Sequence, residues 1–185
     1  KLRLQGVRGD VLSNFTIERL TISDPKGVWI EADNLAVRWR PGELLFQRMH
    51  VQSLTAGRVL LLRQPVLVRQ PATARPPEVL VQFDQIKTRL ETEAAFSQTR
   101  GIYDLNGKYV QRPRGRAIAA LDMRSVLRPG DFLKADLDTG GARSLKLDAD
   151  AQEVKGGGIA GSLGLAATQP FLLSAHVSGP PTNRR

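Results

Sequence analysis

Three glycines near the carboxyl end of the sequence have the spacing of a dinucleotide-binding loop. Gly156, Gly158 and Gly161 match the pattern G-x-G-x-x-G and follow a segment that alternates like a strand. Such a site needs a full helix after the glycines, with its N-terminus at the pyrophosphate, and an acidic residue about 20 positions further on for the ribose. Pro170 ends any helix early, and no Asp or Glu follows Glu153. The pattern therefore predicts a flexible turn.

Other residues capable of catalysis lack the partners that they need. Ser162 lies in a stretch one residue short of the G-x-S-x-G elbow, which requires a strand followed by a long helix over a mostly parallel sheet. His50 and His176 are the only histidines, and neither has another histidine or an acid at ligand spacing, so we expect both on strand surfaces. The sequence predicts no enzyme, no cofactor and no metal site.

The charge of the chain suits an anionic partner. Lys and Arg total 27 against 18 acidic residues, which gives a net charge of +9, and no cysteine is present for disulfides or thiolate chemistry. The basic residues cluster modestly between Arg38 and Arg75 and between Arg100 and Arg128. The sequence shows neither a pattern of stacking aromatics nor a recognition helix, the features typical of nucleic-acid readers. We therefore expect no specific nucleic acid, and interpret these residues as a solvated face or a contact for anionic lipid headgroups.

The elements that carry these residues are predicted to be strands. Apolar residues recur at i and i+2 almost throughout, as from Leu145 to Ala151 and from Phe171 to Val177. This alternation is typical of half-buried strands with one apolar and one polar or small face. Turn sequences such as Arg40-Pro41-Gly42 and Thr139-Gly140-Gly141 separate the strands and favour an antiparallel meander. Short helical turns are predicted only at Pro41 to Arg48 and Ile159 to Ala166.

The first half of the chain has a more specific pattern, in which apolar residues recur at i, i+2, i+5 and i+7. Four segments follow it, beginning at Phe15, Ile30, Met49 and Val81. The odd step reverses the phase of the alternation. The strand must then turn its apolar set outward or absorb the extra residue in a β-bulge, which curls the sheet.

A proline-rich stretch divides the sequence. Residues 66–78 contain Pro71, Pro76 and Pro77 and are predicted to form a stiff, exposed connector. Residues 1–65 are then an N-terminal module of bulged strands, and residues 79–185 a continuing antiparallel segment. The predicted fold class is mainly β: an elongated, curled antiparallel sheet that forms a groove, with one or two short helical turns. Because the sequence begins and ends in mid-pattern, we interpret it as a piece of a longer chain.

The order of several weak motifs resembles the TamB family of AsmA-like proteins. The resemblance is clearest for residues 6–65 and moderate for residues 145–180. The sequences that carry it are Gly9-Asp10-Val11-Leu12, Phe15-Thr16-Ile17-Glu18-Arg19-Leu20, Asp24-Pro25-Lys26-Gly27-Val28-Trp29-Ile30, Leu35-Ala36-Val37-Arg38-Trp39-Arg40-Pro41 and Pro170-Phe171-Leu172-Leu173.

The resemblance implies a periplasmic protein that is anchored in the inner membrane of Gram-negative bacteria. In this family a long bent sheet forms an apolar groove and works with a BamA-type outer-membrane barrel. Two activities follow from the resemblance: conduction of phospholipid toward the outer membrane, and, as the alternative, a scaffold that assists insertion or secretion of outer-membrane proteins by β-augmentation. The N-terminal anchor that the family carries is missing from this sequence.

The alternation and the resemblance together predict which residues contact lipid. A curled sheet with one apolar face and no opposing helices must cover that face with itself or with a ligand. The predicted lipid-binding residues, which line the groove, are Phe15, Ile17, Leu20, Ile22, Leu35, Val37, Val51, Leu54, Val81, Phe83, Ile86, Leu121, Leu133, Leu145, Leu147, Phe171 and Leu173.

Overall fold

The computed structural model describes residues 1–66, 79–113, 116–140, 145–166 and 168–179. These residues form one open, curled sheet of ten strands, which confirms the predicted mainly β fold class. The strands are β1 Leu2–Gly9, β2 Asn14–Asp24, β3 Gly27–Arg40, β4 Arg48–Leu61, β5 Leu80–Thr92, β6 Gly101–Arg112, β7 Arg116–Ser125, β8 Phe132–Asp138, β9 Leu145–Glu153 and β10 Phe171–Gly179.

Short helical segments join some of the strands. A 3-10 turn at Pro41–Phe46 links β3 to β4, with the proline at its first position, where a missing N–H costs nothing. Helix α1, Ala94–Ser97, follows β5, and helix α2, Gly158–Ser162, follows β9. The 3-10 turn and α2 occupy the two segments predicted to be helical. The four residues of α1 are too few for a helical periodicity and were not predicted.

The strands lie side by side in chain order, and one pair departs from the predicted meander. Strands β4 and β5 are parallel, with Arg48 opposite Leu80 and Leu61 opposite Thr92. The expectation of antiparallel pairing is wrong at this pair, whereas it holds for the other eight pairs. A parallel connection needs a dozen or more residues, usually in a helix, to return to the starting end of the sheet. Residues 62–79 provide that length.

The phase reversals predicted on β2 and β3 lie on one line across the first four strands, whereas those predicted after Val51 and Phe83 are separate register shifts, between β3 and β4 and between β5 and β6. One residue from each of the strands β1 to β4 lies in this row, and its neighbours on both sides are paired normally. The four residues, in strand order, are Gly6, Glu18, Asn34 and Gly57. Two of the four have left-handed backbone, with φ of 66° at Gly6 and 54° at Asn34. We call this row the crease. Because the alternation of side chains reverses at the same row in all four strands, Ile17 and Leu20 lie on the same face although they are three residues apart.

Strand pairing defines two faces. The apolar face carries a core of Ile17, Ala32 and Leu35 under β1–β4, and a second core of Tyr103, Met123 and Ile159 further along the sheet. The opposite, polar face carries most of the charged residues of the strands. Helices α1 and α2 lie at the end of the sheet where β5 and β9 finish, which we call the helix end. The end that carries the 3-10 turn is the loop end.

The glycine motif serves the packing of α2. A β-carbon on Gly161 would lie 1.9 Å from the carbonyl oxygen of Ser97, so α2 can approach α1 only with glycine at this position. Glu153 is 2% exposed and accepts hydrogen bonds from the backbone N–H groups of Ile159 and Ala160, at 2.7 and 2.8 Å. The hydroxyl oxygen of Tyr103 accepts from the N–H of Gly158 at 3.1 Å. The glycines therefore permit close packing, and a protein carboxylate occupies the N–H groups at the start of α2.

The predicted modules 1–65 and 79–185 contribute to the same sheet, which continues from β4 to β5. The predicted connector, 66–78, lies outside the described residues except for Val66. The Val66 N–H donates to Asp24 at 2.7 Å, and Arg63 donates two hydrogen bonds to the same carboxylate, at 2.6 and 2.9 Å. This contact ties the chain that leaves β4 to the hairpin between β2 and β3.

Candidate functional site

The predicted lipid-binding residues share the apolar face. Two neighbouring rows of paired residues cross all ten strands on this face, and neither row contains an ionisable side chain. The first row is Val7, Ile17, Leu35, Ala56, Thr88, Leu105, Met123, Leu133, Ala151 and Leu173. The second row is Gly9, Phe15, Val37, Leu54, Ile86, Gly107, Leu121, Ala135, Ala149 and Ala175.

The remaining predicted residues flank these rows. Leu20 and Ile22 lie beyond the crease on β2, and Val51, Val81 and Phe83 lie toward the loop end. Leu145 and Leu147 are on β9 near the loop end, and Phe171 is at the helix end, opposite Glu153. At the usual spacing of strands, the nine steps from β1 to β10 amount to a path of about 43 Å. The sheet thus presents an apolar strip along its whole width.

Most of this strip is only half-buried. Of the predicted residues, Ile17, Leu35 and Val51 are buried, and the other fourteen keep an intermediate exposure. In a closed two-layer domain a second layer of helices or strands would cover such a face. Among the described elements, α2 covers the face only at the helix end, where Ile159 is 1% exposed. Burial there also raises the pKa of the Tyr103 phenol to about 12.

Many arginines lie on the polar face or at its ends, and most of them contact carboxylates. The pairs include Arg19 with Asp33 at 2.9 Å, Arg116 with Asp138 at 2.8 Å and Arg124 with Asp122 at 3.2 Å; Arg58 lies between Asp33 and Glu91. The Arg63 guanidinium holds the pKa of the Asp24 carboxyl well below its usual range, and Arg116 lowers the pKa of Asp138. These arginines are neutralised within the protein, so their number overstates the charge free for a ligand.

His50 lies in a charged cluster on the polar face at the loop end. Its Nδ1 is 2.8 Å from Oε1 of Glu43, and its Nε2 is 2.8 Å from Oδ2 of Asp84. Arg40 and Arg48 also approach Glu43, at 3.7 and 3.6 Å. Hydrogen bonding to Glu43, more than to Asp84, raises the pKa of the imidazole above its ordinary value despite burial. Both ring nitrogens can donate to carboxylates only when the imidazole is protonated.

The expectation for His50 is wrong and the one for His176 is confirmed. His50 is 8% exposed, because the 3-10 turn and β5 bring two acids to it. Nothing in the local sequence signals this cluster, since Asp84 reaches His50 only through the unpredicted parallel pairing of β4 and β5. The exposed His176 contacts Asp148 on the neighbouring strand, and Ser174 donates to Asp150 at 2.9 Å. These groups form a solvated polar surface.

Comparison of this chain with family models, with curated proteins and with solved structures gives no match. Among the described residues, no helix is long and apolar enough to cross a membrane. The same residues contain no group of three or more His, Cys, Asp or Glu side chains arranged to hold a metal ion. The candidate functional site is the apolar strip, because its two rows cross all ten strands without an ionisable side chain.

Proposed function

We propose that the apolar strip binds the acyl chains of phospholipid and conducts them across the strands, as one segment of a longer TamB-like periplasmic protein in outer-membrane biogenesis. The observation that carries this proposal is the pair of rows that cross all ten strands without an ionisable side chain. Burial of acyl chains against such a surface contributes about 0.8 kcal/mol per methylene. A strip that is half-exposed along the whole width of the sheet gives an acyl chain continuous apolar contact and leaves the acyl chain free to move along it.

The chemistry of the strip favours acyl chains over rigid or polar ligands. Its side chains are mainly Leu, Ile, Val and Ala, and the only polar member of the two rows is Thr88. Such a surface offers neither ion pairs nor directional hydrogen bonds, so it selects for apolar area and not for one headgroup. In the proposed complex the headgroup stays in water, because burying an unpaired charge on the strip is costly.

Photocrosslinking from opposite faces of one strand tests the proposal. A benzophenone amino acid is placed at Ile86 on the apolar face, and at the exposed Lys87 next to it as the matched control. The purified protein is irradiated with vesicles of phosphatidylethanolamine and phosphatidylglycerol, and adducts are identified by mass spectrometry. We expect phospholipid adducts from position 86 and few from position 87. Equal yields from the two faces would contradict an apolar conduit.

A charge within the strip gives an independent measurement. Ile86→Asp should reduce retention of lipid strongly, whereas Gln85→Asp adds the same charge at an exposed position and should leave retention unchanged. Gln82 and Asp84 are unsuitable as controls, because Gln82 donates to Asp84 at 2.7 Å and Asp84 contacts His50. Retention is compared only after denaturation curves show that both variants are folded.

A specific observation favours the second candidate, a scaffold for client strands. Among the described strands, β1 and β10 each pair on one side only, and all eight residues of β1 are exposed. Where no further strand of the protein pairs with it, an edge of this kind can accept an extended peptide by β-augmentation. Crosslinkers at Arg3 on β1 and Ser174 on β10 that capture extended peptides from a bacterial outer-membrane barrel, with no lipid captured at position 86, would favour the scaffold over the conduit.

A further inference from the structure

Two neighbouring loops are held together at the loop end of the sheet. The turn at residues 10–13 connects β1 to β2, and the 3-10 turn Pro41–Phe46 connects β3 to β4. The indole N–H of Trp39 donates to the carbonyl of Val11 at 2.7 Å, and the Trp39 backbone N–H donates to the carbonyl of Ser13 at 3.1 Å. Trp39 thus fixes the first loop against the strand that enters the second.

The tips of both loops expose large apolar side chains. Leu12 is 69% exposed, Leu45 85% and Phe46 79%, and Val11 and Leu44 are about half-exposed. Polar residues are the usual occupants of such turns, because the tips face water. Five exposed apolar side chains on two adjacent tips therefore indicate a surface that is covered by a partner.

Behind these tips lies a cavity of about 380 Å³ on the polar face, flanked by two arginines. Arg8 from β1 and Arg38 from β3 line it, together with Thr16, Ser53 and Thr55, and the Thr16 hydroxyl donates to the Arg8 carbonyl at 3.5 Å. Within the described residues neither arginine contacts a carboxylate, in contrast to Arg19, Arg58 or Arg116.

Strand pairing explains how the two arginines come to one cavity. Arg8 lies opposite Thr16. Arg38 lies between Asn14 and Ser53, two residues along the strands from the row of Arg8 and Thr16, in the direction of the loop end. The small side chain of Ala36, between Thr16 and Thr55, leaves the space open. The nearby Asp10 carboxylate accepts hydrogen bonds from the N–H of Leu12 and the hydroxyl of Ser13, at 2.9 and 2.8 Å. The cavity combines two arginines with the hydroxyl-bearing side chains of Ser53 and Thr55. Cations and hydroxyl groups are the donors that a phosphate group requires.

We propose that the loop end docks on an anionic membrane surface, with the apolar tips inserted among the lipids and a lipid phosphate held between Arg8 and Arg38. Apolar tips with cations directly behind them match the order of layers in a membrane, where headgroup phosphates lie outside the acyl chains. A soluble phosphate would use the arginines but leave the tips exposed, and a second copy of the chain would cover the tips but bring the same positive charge to the arginines.

This docking does not depend on the proposed function of the apolar strip. The tips lie at the loop end, and the cavity is lined by residues of β1 to β4, which include Gly9, Phe15 and Val37 of the strip. Ile86 lies on β5, outside this lining. A variant that disables the strip, Ile86→Asp, should still bind membranes. Loss of lipid from the strip with retained docking would refute the conduit alone, and the reverse result would refute the docking alone.

Substitution of the tips tests the apolar part of the proposal. The full chain is sedimented with vesicles of phosphatidylcholine and phosphatidylglycerol, and in parallel with vesicles of phosphatidylcholine alone. Phe46→Ser should weaken binding to the mixed vesicles about tenfold, the change expected when one large apolar side chain no longer leaves water. Leu172→Ser is the matched control, since Leu172 is 78% exposed at the helix end. Equal losses in both variants, or no loss in either, would overturn the proposal.

Substitution of the cavity tests the phosphate contact. Arg8→Gln should weaken binding to the mixed vesicles about fivefold, which corresponds to about 1 kcal/mol for one arginine at an anionic surface. Arg3→Gln is the control, because Arg3 is on the same strand with the same charge and lies outside the cavity lining. Equal effects of the two substitutions would mean that net charge alone attracts the membrane and would overturn the assigned site.

Competition distinguishes the membrane from the other occupants. Inorganic phosphate or duplex DNA added at near-physiological salt should not release the protein from mixed vesicles, since neither competes for the inserted tips. Complete release by either would overturn the proposal in favour of a soluble anion or nucleic acid. Analytical ultracentrifugation without lipid should show a monomer, and a dimer that Phe46→Ser dissociates would assign the tips to self-association instead.

Discussion

Raising the pH from about 6 to about 9 should destabilise this protein through His50. At the lower pH the imidazolium donates to both Glu43 and Asp84, at 2.8 Å each. Once neutral, the ring has one N–H, so one carboxylate loses its donor and faces a lone pair. The pKa of His50 is raised in the folded protein, so its stabilisation is fully present below the ordinary value of 6.5. That stabilisation is lost as the pH rises through the raised pKa.

The size of the effect follows from the exposure of the partners. A hydrogen bond between shielded charged groups contributes about 1.5–3 kcal/mol. The His50 side chain is 10% exposed but that of Asp84 is 44% exposed, so solvent screening lowers the expected loss to about 1 kcal/mol. For a domain of this size, such a change in the free energy of unfolding lowers Tm by about 2–4 °C.

The two carboxylates set the lower limit of the pH window. Hydrogen bonding from His50 lowers the pKa of Glu43, and hydrogen bonds from Gln82 and His50 lower the pKa of Asp84 despite its partial burial. Their contributions are present above their ordinary pKa values of 4.5 and 3.8 and are lost as the pH falls through the lowered values. The cluster should therefore stabilise the fold most between about pH 5 and 6.5.

Urea denaturation at a series of pH values measures this dependence. Wild-type protein should lose about 1 kcal/mol between pH 6 and 9, and His50→Gln should be less stable at pH 6 and lose much less over the same interval. His176→Gln is the control, because His176 pairs with Asp148 while 77% exposed, and it should keep the wild-type slope. If His50→Gln retained the full pH dependence, the protonated bridge between Glu43 and Asp84 would be refuted.

Two further predictions concern backbone positions. Gly161→Ala should destabilise the protein by about 1–3 kcal/mol, because the new methyl group meets the Ser97 carbonyl. The control Gly42→Ala has open space around its β-carbon and should leave Tm nearly unchanged. Equal Tm values for the two variants would contradict the packing of α2 on α1. At the crease, Asn34→Val should lower the free energy of unfolding by about 1–2 kcal/mol, because a β-branched residue disfavours the left-handed backbone at φ 54°. Asn34→Gly should be tolerated, since glycine adopts this backbone freely. Urea denaturation measures both variants, and a valine variant as stable as the wild type would refute the strain at this position.

The sequence pattern predicted the faces of the strands better than their partners. Alternation assigned Ile17, Leu35 and Val51 to one face, and the odd steps after Ile17 and Ala32 marked the crease, because both are properties of consecutive residues. The direction of β5 was missed, since the two-residue period is the same in parallel and antiparallel strands. Asp84 was missed as a partner of His50 because it depends on that pairing, and Glu43 was missed because it comes from a turn and not from a neighbouring strand.

The cavity between Arg8 and Arg38 shows a similar limit. The predicted arginine clusters began at Arg38, whereas its partner Arg8 lies about 30 residues earlier and reaches the same cavity through pairing of β1, β2 and β3. A count of cations along the chain also gives no sign of which ones are neutralised. Carboxylates such as Asp33 and Asp138 reach their arginines from neighbouring strands, which composition alone does not reveal.

The parallel pairing of β4 with β5 forms in a different way from the antiparallel pairs of the sheet. An antiparallel ladder such as β3 with β4 can begin at Arg40 and His50, next to the turn, and then grow pair by pair. The parallel ladder has no close pair from which to begin, because Arg48 with Leu80 and Leu61 with Thr92 each enclose about 30 residues. Strands β1–β4 and β5–β10 can thus form as separate meanders by local zippering, whereas the junction between them must close a long loop at an entropic cost.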